Sequence, residues 1–170
     1  MLEVDLRALA RGPVETAGVL ATDDPLFVGL QASFAEPIRV AGRFQAAGEG
    51  RFYWDASLGT VVAAECRRCL APVTAPVTAR IGVLFSREPG AGDDPDTYAV
   101  PRDASTIDLR PAVREELILA LPTYLECRED CRGLCPRCGN DLNAGPCGCA
   151  TPTADARWQG LAALRDKFRK

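Results

Sequence analysis

Pro72-Val73-Thr74-Ala75-Pro76-Val77-Thr78-Ala79-Arg80-Ile81-Gly82-Val83-Leu84-Phe85 sets Val73, Val77, Ile81, Val83 and Phe85 two or four positions apart. A two-residue repeat brings all five side chains to one face of an extended chain, the pattern of a half-buried strand. The same texture recurs upstream in shorter runs: Leu2, Val4 and Leu6, then Ile38 and Val40 with Phe44, then Phe52 and Trp54. Gly48-Glu49-Gly50, Leu58-Gly59 and Ala71-Pro72 read as loop or hairpin punctuation between them. Residues 1–87 are therefore expected to form an antiparallel β-domain of about five to seven strands. A short helix is expected over Asp24 to Gln31, with Pro25 just inside its start.

The texture changes downstream. Residues 88–105, with Pro89, Gly90, Gly92, Asp93, Asp94, Pro95 and Asp96, have no apolar period and read as an acidic, mobile loop. Residues 106–126 hold a helix and connector. Asp108 is its expected N-cap, Leu109, Val113, Leu117 and Leu121 line one face, Arg114, Glu115 and Glu116 face outward, and Pro122 stops the run. Residues 127–150 form a cysteine-rich segment. Residues 151–170 are expected to close the chain as a helix with Trp158, Leu161, Leu164 and Phe168 on one side. The expected fold class is α+β: a mainly antiparallel β-domain, a helix, a Cys-rich tail and a C-terminal helix.

Composition narrows the function. The chain has 170 residues, 47% hydrophobic and 25% charged, as in an ordinary globular protein. A net charge of −3 excludes a protein that holds nucleic acid by bulk charge, so any such surface is a local patch. There is no histidine, which removes the Ser-His-Asp triad, the Cys-His pair and the His-based zinc proteases. No secretory signal and no long apolar run is visible, so the expectation is a cytoplasmic protein with no membrane partner and no small-molecule substrate. In that setting the eight cysteines point to metal rather than disulfides.

Eight thiolates make two four-ligand sites with no cysteine left over, the closed coordination of structural zinc. Cys135-Pro136-Arg137-Cys138-Gly139 is a knuckle in which Gly139 can take a positive φ. Cys147-Gly148-Cys149 needs a bend to turn both sulfurs inward, and Gly148 with Gly145-Pro146 can supply it. Cys135, Cys138, Cys147 and Cys149 then close a local site. Cys66 and Cys69 are left to meet Cys127 and Cys131 as a clasp between the β-region and the tail, although Cys131 lies close enough to Cys135 to exchange quartets. Buried thiols without metal, iron in place of zinc, and a redox role for Cys66-Arg67-Arg68-Cys69 are the competing readings. Against the last, a thioredoxin motif opens a helix, whereas Leu70-Ala71-Pro72 leads into another alternating stretch.

Glu115-Glu116-Leu117-Ile118-Leu119-Ala120-Leu121-Pro122, followed by the run from Cys127-Arg128-Glu129-Asp130-Cys131 through Gly139-Asn140-Asp141-Leu142-Asn143, resembles the bacterial YceD family, also called DUF177. Cys66 and Cys69 fit in the same order, and the resemblance spans roughly Asp55 to the C-terminus. It implies a ribosome-biogenesis factor, because the family is associated with accumulation of large-subunit ribosomal RNA and its chloroplast relatives with ribosomal RNA processing. Members that keep the upstream pair without the tail knuckle imply two separable sites.

With that resemblance, the arginines among the ligands become the expected RNA contacts: Arg67, Arg68, Arg128, Arg132 and Arg137, fixed near one another once two zinc ions are bound. Arg157, Arg165, Lys167, Arg169 and Lys170 add charge at the end of the chain. The plainer alternative is that the arginines offset thiolate charge. Phe52 and Trp54 share a strand face and read as core or as a stacking platform, and the acidic loop as solvated unless its carboxylates converge. The expected activity is non-enzymatic, with ribosomal RNA or a pre-ribosomal particle as partner. The alternative is an adaptor that acts on a ribosomal protein or assembly enzyme without touching RNA.

Overall fold

The computed structural model describes residues 2–30, 32–88, 90–94, 97–149 and 161. Alternation sets the architecture. β1 (Glu3–Asp5) leads through a 3-10 turn at Leu6–Arg11 into β2 (Val14–Leu20), and a second 3-10 turn at Pro25–Phe27 precedes β3 (Ser33–Phe34). β4 (Ile38–Ala46), β5 (Arg51–Glu65) and β6 (Pro72–Ser86) follow, then β7 (Thr97–Ala99), β8 (Thr106–Asp108) and the helix α1 (Arg110–Ala120).

The main sheet runs β2-β4-β5-β6-β7, with β3 added to β5 beyond the end of β4, and β1 pairs with β8 in a separate ribbon. All pairings are antiparallel except β6 with β7. One face of the sheet carries Ile38, Val40, Phe44, Phe52, Trp54, Leu58, Val62, Val77, Ile81, Val83 and Phe85, all buried. Leu109, at the N-cap of α1, and Val113 and Leu117 within it are fully buried against that side, which makes a two-layer α+β core. Phe52 and Trp54 are thus core residues. Trp54 needs a partner for its indole N–H, and Thr16 Oγ1 accepts it at 2.9 Å inside the core.

Local expectations diverge from the structure at five places. Leu58-Gly59 is no turn: Leu58 is buried and Gly59 pairs with Arg39 on one side and Thr78 on the other, so the alternation runs unbroken through β5. The helix expected over Asp24 to Gln31 is a single 3-10 turn. Asp24 caps it through the Leu26 N–H, and Gly29, at φ 86°, turns the chain away. Residues 88–105 are not all loop, since they hold a 3-10 turn at Ala91–Asp93 and β7. Asp108 ends β8 rather than opening α1 as a regular cap, though its carboxylate still accepts the Arg110 N–H at 3.0 Å. Arg114 does not face outward; it donates to the carbonyls of Leu26 and Val28 and ties α1 to the turn before β3. Glu115 accepts from the Tyr98 hydroxyl. The helix expected over residues 151–170 lies outside the described residues.

β5 and β6 form the longest pairing, from Arg51↔Ser86 to Glu65↔Pro72, and Cys66 to Ala71 make the turn at its tip. That tip is where the cysteine-rich tail meets the sheet. Thr16→Val removes the only hydrogen-bond acceptor recorded for the Trp54 indole at nearly constant volume. It should lower unfolding free energy by about 1–3 kcal/mol, read from the urea midpoint at unchanged slope.

Candidate metal centres

The eight cysteines form no disulfide. They gather instead as Cys66, Cys69, Cys127 and Cys131, and as Cys135, Cys138, Cys147 and Cys149, with the four sulfurs of each group within 4.8 Å of one another. Cys66 Sγ lies 3.8 Å from Cys131 Sγ, and Cys69 Sγ lies 3.7 Å from Cys127 Sγ. A metal held tetrahedrally at about 2.3 Å from each sulfur has sulfur–sulfur edges of about 3.8 Å, so the donors are spaced as such an ion requires. The quartets are those expected from the spacing, and Cys131 belongs to the first. Four thiols complete each tetrahedron and leave no open position, the arrangement of a structural rather than a catalytic ion. Among the described residues no carboxylate cluster has ligand geometry, and Asp96 of the acidic loop lies outside them.

Both quartets rest on the same knuckle. The Leu70 N–H donates to Cys66 O at 2.9 Å, and the Gly139 N–H donates to Cys135 O at 2.9 Å. Residues after the second cysteine therefore adopt the left-handed conformation, Gly139 at φ 75° and Leu70 at φ 60°. Leu70 is the sole non-glycine residue with positive φ among those described, and it was not legible as such, since leucine avoids that region. Comparing Cys-x-x-Cys-Leu with Cys-x-x-Cys-Gly was the available signal. Gly145 takes the bend before Cys147 at φ 153°, and Gly148 is not in the left-handed region.

The knuckle turns aim backbone N–H groups at sulfur. Those of Cys127 and Cys69 pull the Cys66 thiol down to about 6, and those of Arg137 and Cys138 pull Cys135 down to about 6. Loss of hydration pushes Cys127 up to about 12, and the Cys138 sulfur pushes Cys149 up to about 12. At neutral pH each metal-free quartet thus has one sulfur poised as thiolate and at least one that gives up its proton only to a metal.

The tail docks on the first knuckle through backbone contacts as well. The Arg67 N–H donates to Leu125 O at 2.9 Å, and the Leu134 N–H donates to Arg68 O at 2.9 Å. Gly133 makes that approach possible. It sits at φ 72°, and a Cβ there would lie 2.9 Å from Arg68 O.

The five arginines divide. Arg67 and Arg68 share Glu126, with Arg67 Nε donating to it at 2.6 Å, and Arg68 Nη1 donates to Cys131 O at 2.7 Å. Arg67 also lies over the Tyr124 ring, 5.3 Å from its centroid. Arg128 donates to Asn143 Oδ1 at 2.8 Å and pairs with Asp130 at 3.2 Å. Arg132 and Arg137 are exposed, and their side chains have no hydrogen bond or ion pair recorded among the described residues. Glu126, Gly133 and Asn143 are contributors that spacing alone did not single out.

A two-layer α+β protein whose sheet carries a cysteine-clasped tail is thus the class the structure defines. The family described as large ribosomal RNA subunit accumulation protein YceD matches residues 54–165, and the chain belongs to it. An uncharacterised Mycobacterium tuberculosis protein is 38% identical over 111 residues, covering 62% of this chain and 53% of its own length. The chloroplastic protein named large ribosomal RNA subunit accumulation protein YCED homolog 1 is 24% identical over 110 residues in Arabidopsis thaliana, covering 58% of this chain and 34% of that one. Its Zea mays counterpart is 23% identical over 151 residues, covering 71% and 50%. The chain spans about half the length of the mycobacterial relatives it matches. No solved structure matches it. Among the described residues no helix is long and apolar enough to cross a membrane.

Two outcomes follow from the geometry. The metal-free chain should take up two thiophilic divalent ions and release protons at pH 7, with affinity falling more steeply once pH drops below about 6, where Cys66 and Cys135 also become protonated; titration in weak buffer measures both. Gly133→Ala should destabilise the metal-loaded chain by about 1–3 kcal/mol, because alanine resists this φ and its Cβ meets Arg68 O; thermal unfolding measures it.

Proposed function

We propose that this protein is a non-enzymatic, cytoplasmic ribosome-biogenesis factor that supports accumulation or processing of large-subunit ribosomal RNA. The observation that carries the reading is the pair of closed four-thiol centres inside a chain of the YceD family: the donors are all committed to structure, so they build a surface rather than a reaction centre. Zinc is the ion proposed for both, since it favours closed tetrahedral thiolate sites and carries no redox chemistry.

The proposed partner is ribosomal RNA or a pre-ribosomal particle, met by arginines that the metal-ordered tail holds in place. Arg132 and Arg137 are the leading contacts because they are exposed and have no recorded partner among the described residues. Arg67, Arg68 and Arg128 add charge to the same region but are already engaged by Glu126, Cys131 O, Asn143 and Asp130. That engagement is also the observation that favours a second reading, an adaptor that binds a ribosomal protein or assembly enzyme without touching RNA. Exposed Tyr124, whose ring lies against Arg67 beside the clasp, suits such a contact.

Replacing Arg132 and Arg137 together by alanine, with metal content unchanged, should weaken binding to large-subunit ribosomal RNA fragments by tenfold or more. It should also lower large-subunit yield in cells that depend on the protein. Two phosphate contacts set a shallow salt dependence, with a slope of about −1 to −2 in log K against log salt. Unchanged RNA binding by the double variant overturns the arginine surface. A metal-loaded protein that binds no ribosomal RNA but retains a ribosomal protein establishes the adaptor in its place.

A further inference from the structure

The loop that closes the second quartet reaches back onto the first. Asn143 lies between Cys138 and Cys147, two ligands of the second quartet, yet its Nδ2 donates to Sγ of Cys131, a ligand of the first, at 3.5 Å. Its Oδ1 accepts from the Arg132 N–H and from Arg128 Nη2, both at 2.8 Å, so it also holds the chain that flanks Cys131. Asp141 Oδ1 accepts from Asn143 Nδ2 at 2.7 Å and from the Asn143 N–H at 2.9 Å. Both hydrogens and both lone pairs of the amide are thereby used, and a flipped amide would set its oxygen against a thiolate and a carboxylate.

The position of this amide depends on the second quartet. The Leu134↔Asp141 bridge, the Cys135 N–H to Asn140 O at 2.8 Å and the Leu142 N–H to Gly133 O at 2.9 Å fold the loop onto the second knuckle, and Cys147 ties down its far end. Without metal on Cys135, Cys138, Cys147 and Cys149, the far end of that loop loses its anchor and Asn143 its fixed place. An amide donating to a coordinating thiolate orients the ligand and offsets its charge, and outer groups of this kind change metal affinity by about 10–100-fold.

We infer that Asn143 is a positioning residue for the Cys66/Cys69/Cys127/Cys131 quartet, through which metal loading at the second quartet raises metal affinity at the first. Coupling of binding free energies is reciprocal, so loading of the first raises affinity at the second by the same factor. The inference rests on both quartets being metal sites.

The full chain, titrated with cobalt(II) against a competing chelator, tests it. Cys138→Ser leaves the first quartet its four sulfurs and removes a ligand of the second. Cobalt affinity of the first quartet should fall tenfold or more in that variant, fall comparably in Asn143→Ala, and fall little further in the double variant. Asn143→Asp, which sets a carboxylate oxygen against the sulfur at almost constant size, should bind cobalt more weakly than Asn143→Ala, an order that a purely space-filling role would reverse. The sulfur-to-cobalt charge-transfer band of the first quartet should move to lower energy in Asn143→Ala, because the thiolate has lost a hydrogen bond. Unchanged affinity in Asn143→Ala, or losses from Asn143→Ala and Cys138→Ser that simply add, would overturn the inference. If Asn143→Ala does not fold, the unaltered chain and Cys138→Ser decide: equal cobalt affinity at the first quartet overturns the coupling, and a tenfold or greater difference supports it. A chain that takes up no cobalt at either quartet overturns the metal reading and this inference with it.

Discussion

Four sulfur atoms from two segments far apart in sequence meet where the tail joins the sheet, spaced as one metal ion would need them. Cys66 and Cys69 stand at the tip of the β5–β6 hairpin, and Cys127, 58 residues beyond Cys69, brings Cys131 with it. The described residues from Cys127 to Cys149 meet the sheet at that junction. The described tail has almost no regular structure of its own, and its only β-pairing is the single bridge between Leu134 and Asp141. A segment that cannot bury an apolar face needs another source of order, and thiolate–metal bonds convert binding free energy into folding free energy. The long intervening loop makes this closure worth more, in unfolded-state entropy, than the local closure at the second quartet.

The junction also sets what the protein can present. Arg68 is turned inward to Cys131 O and Arg67 shares Glu126 with it, so part of the basic character that the sequence displays is used to build the clasp. A four-thiolate zinc centre carries a net charge of −2, and arginines near it relieve that charge before they attract any phosphate. The surface left for a partner is therefore smaller than the sequence suggests. Among the described tail residues it consists chiefly of Arg132 and Arg137, in a chain whose net charge is −3. A modest, position-specific RNA contact agrees with that inventory, and a general polyanion binder does not.

Most of the fold could be read from period and spacing. The Val77-Ile81-Val83-Phe85 alternation gave β6, the four-residue steps of Leu109, Val113 and Leu117 gave the buried face of α1, and knuckle spacing gave the second quartet and left the first by elimination, with the place of Cys131 open until the sulfurs were seen together. What could not be read was set by tertiary partners. Leu58-Gly59 looks like a turn until strands on both sides supply its ladder. β7 lies in an acidic stretch with no apolar period and forms because β6 offers it an edge. Leu70 holds a left-handed conformation because the Cys66 knuckle imposes it. Asn143 closes the run that carries the family resemblance, but its role was not legible there, since an asparagine in a loop is ordinary until its four side-chain hydrogen bonds are seen.

Amide hydrogen exchange before and after removal of metal by a strong chelator bears most directly on the claim that thiolate coordination fixes the tail to the sheet. The account predicts that the Leu134, Arg67 and Leu142 amides, which donate to Arg68 O, Leu125 O and Gly133 O, lose their protection on chelation, while core amides of β4 and β5 around Phe44 and Trp54 keep theirs. Undiminished protection of Leu134 and Arg67 in the metal-free chain would contradict it.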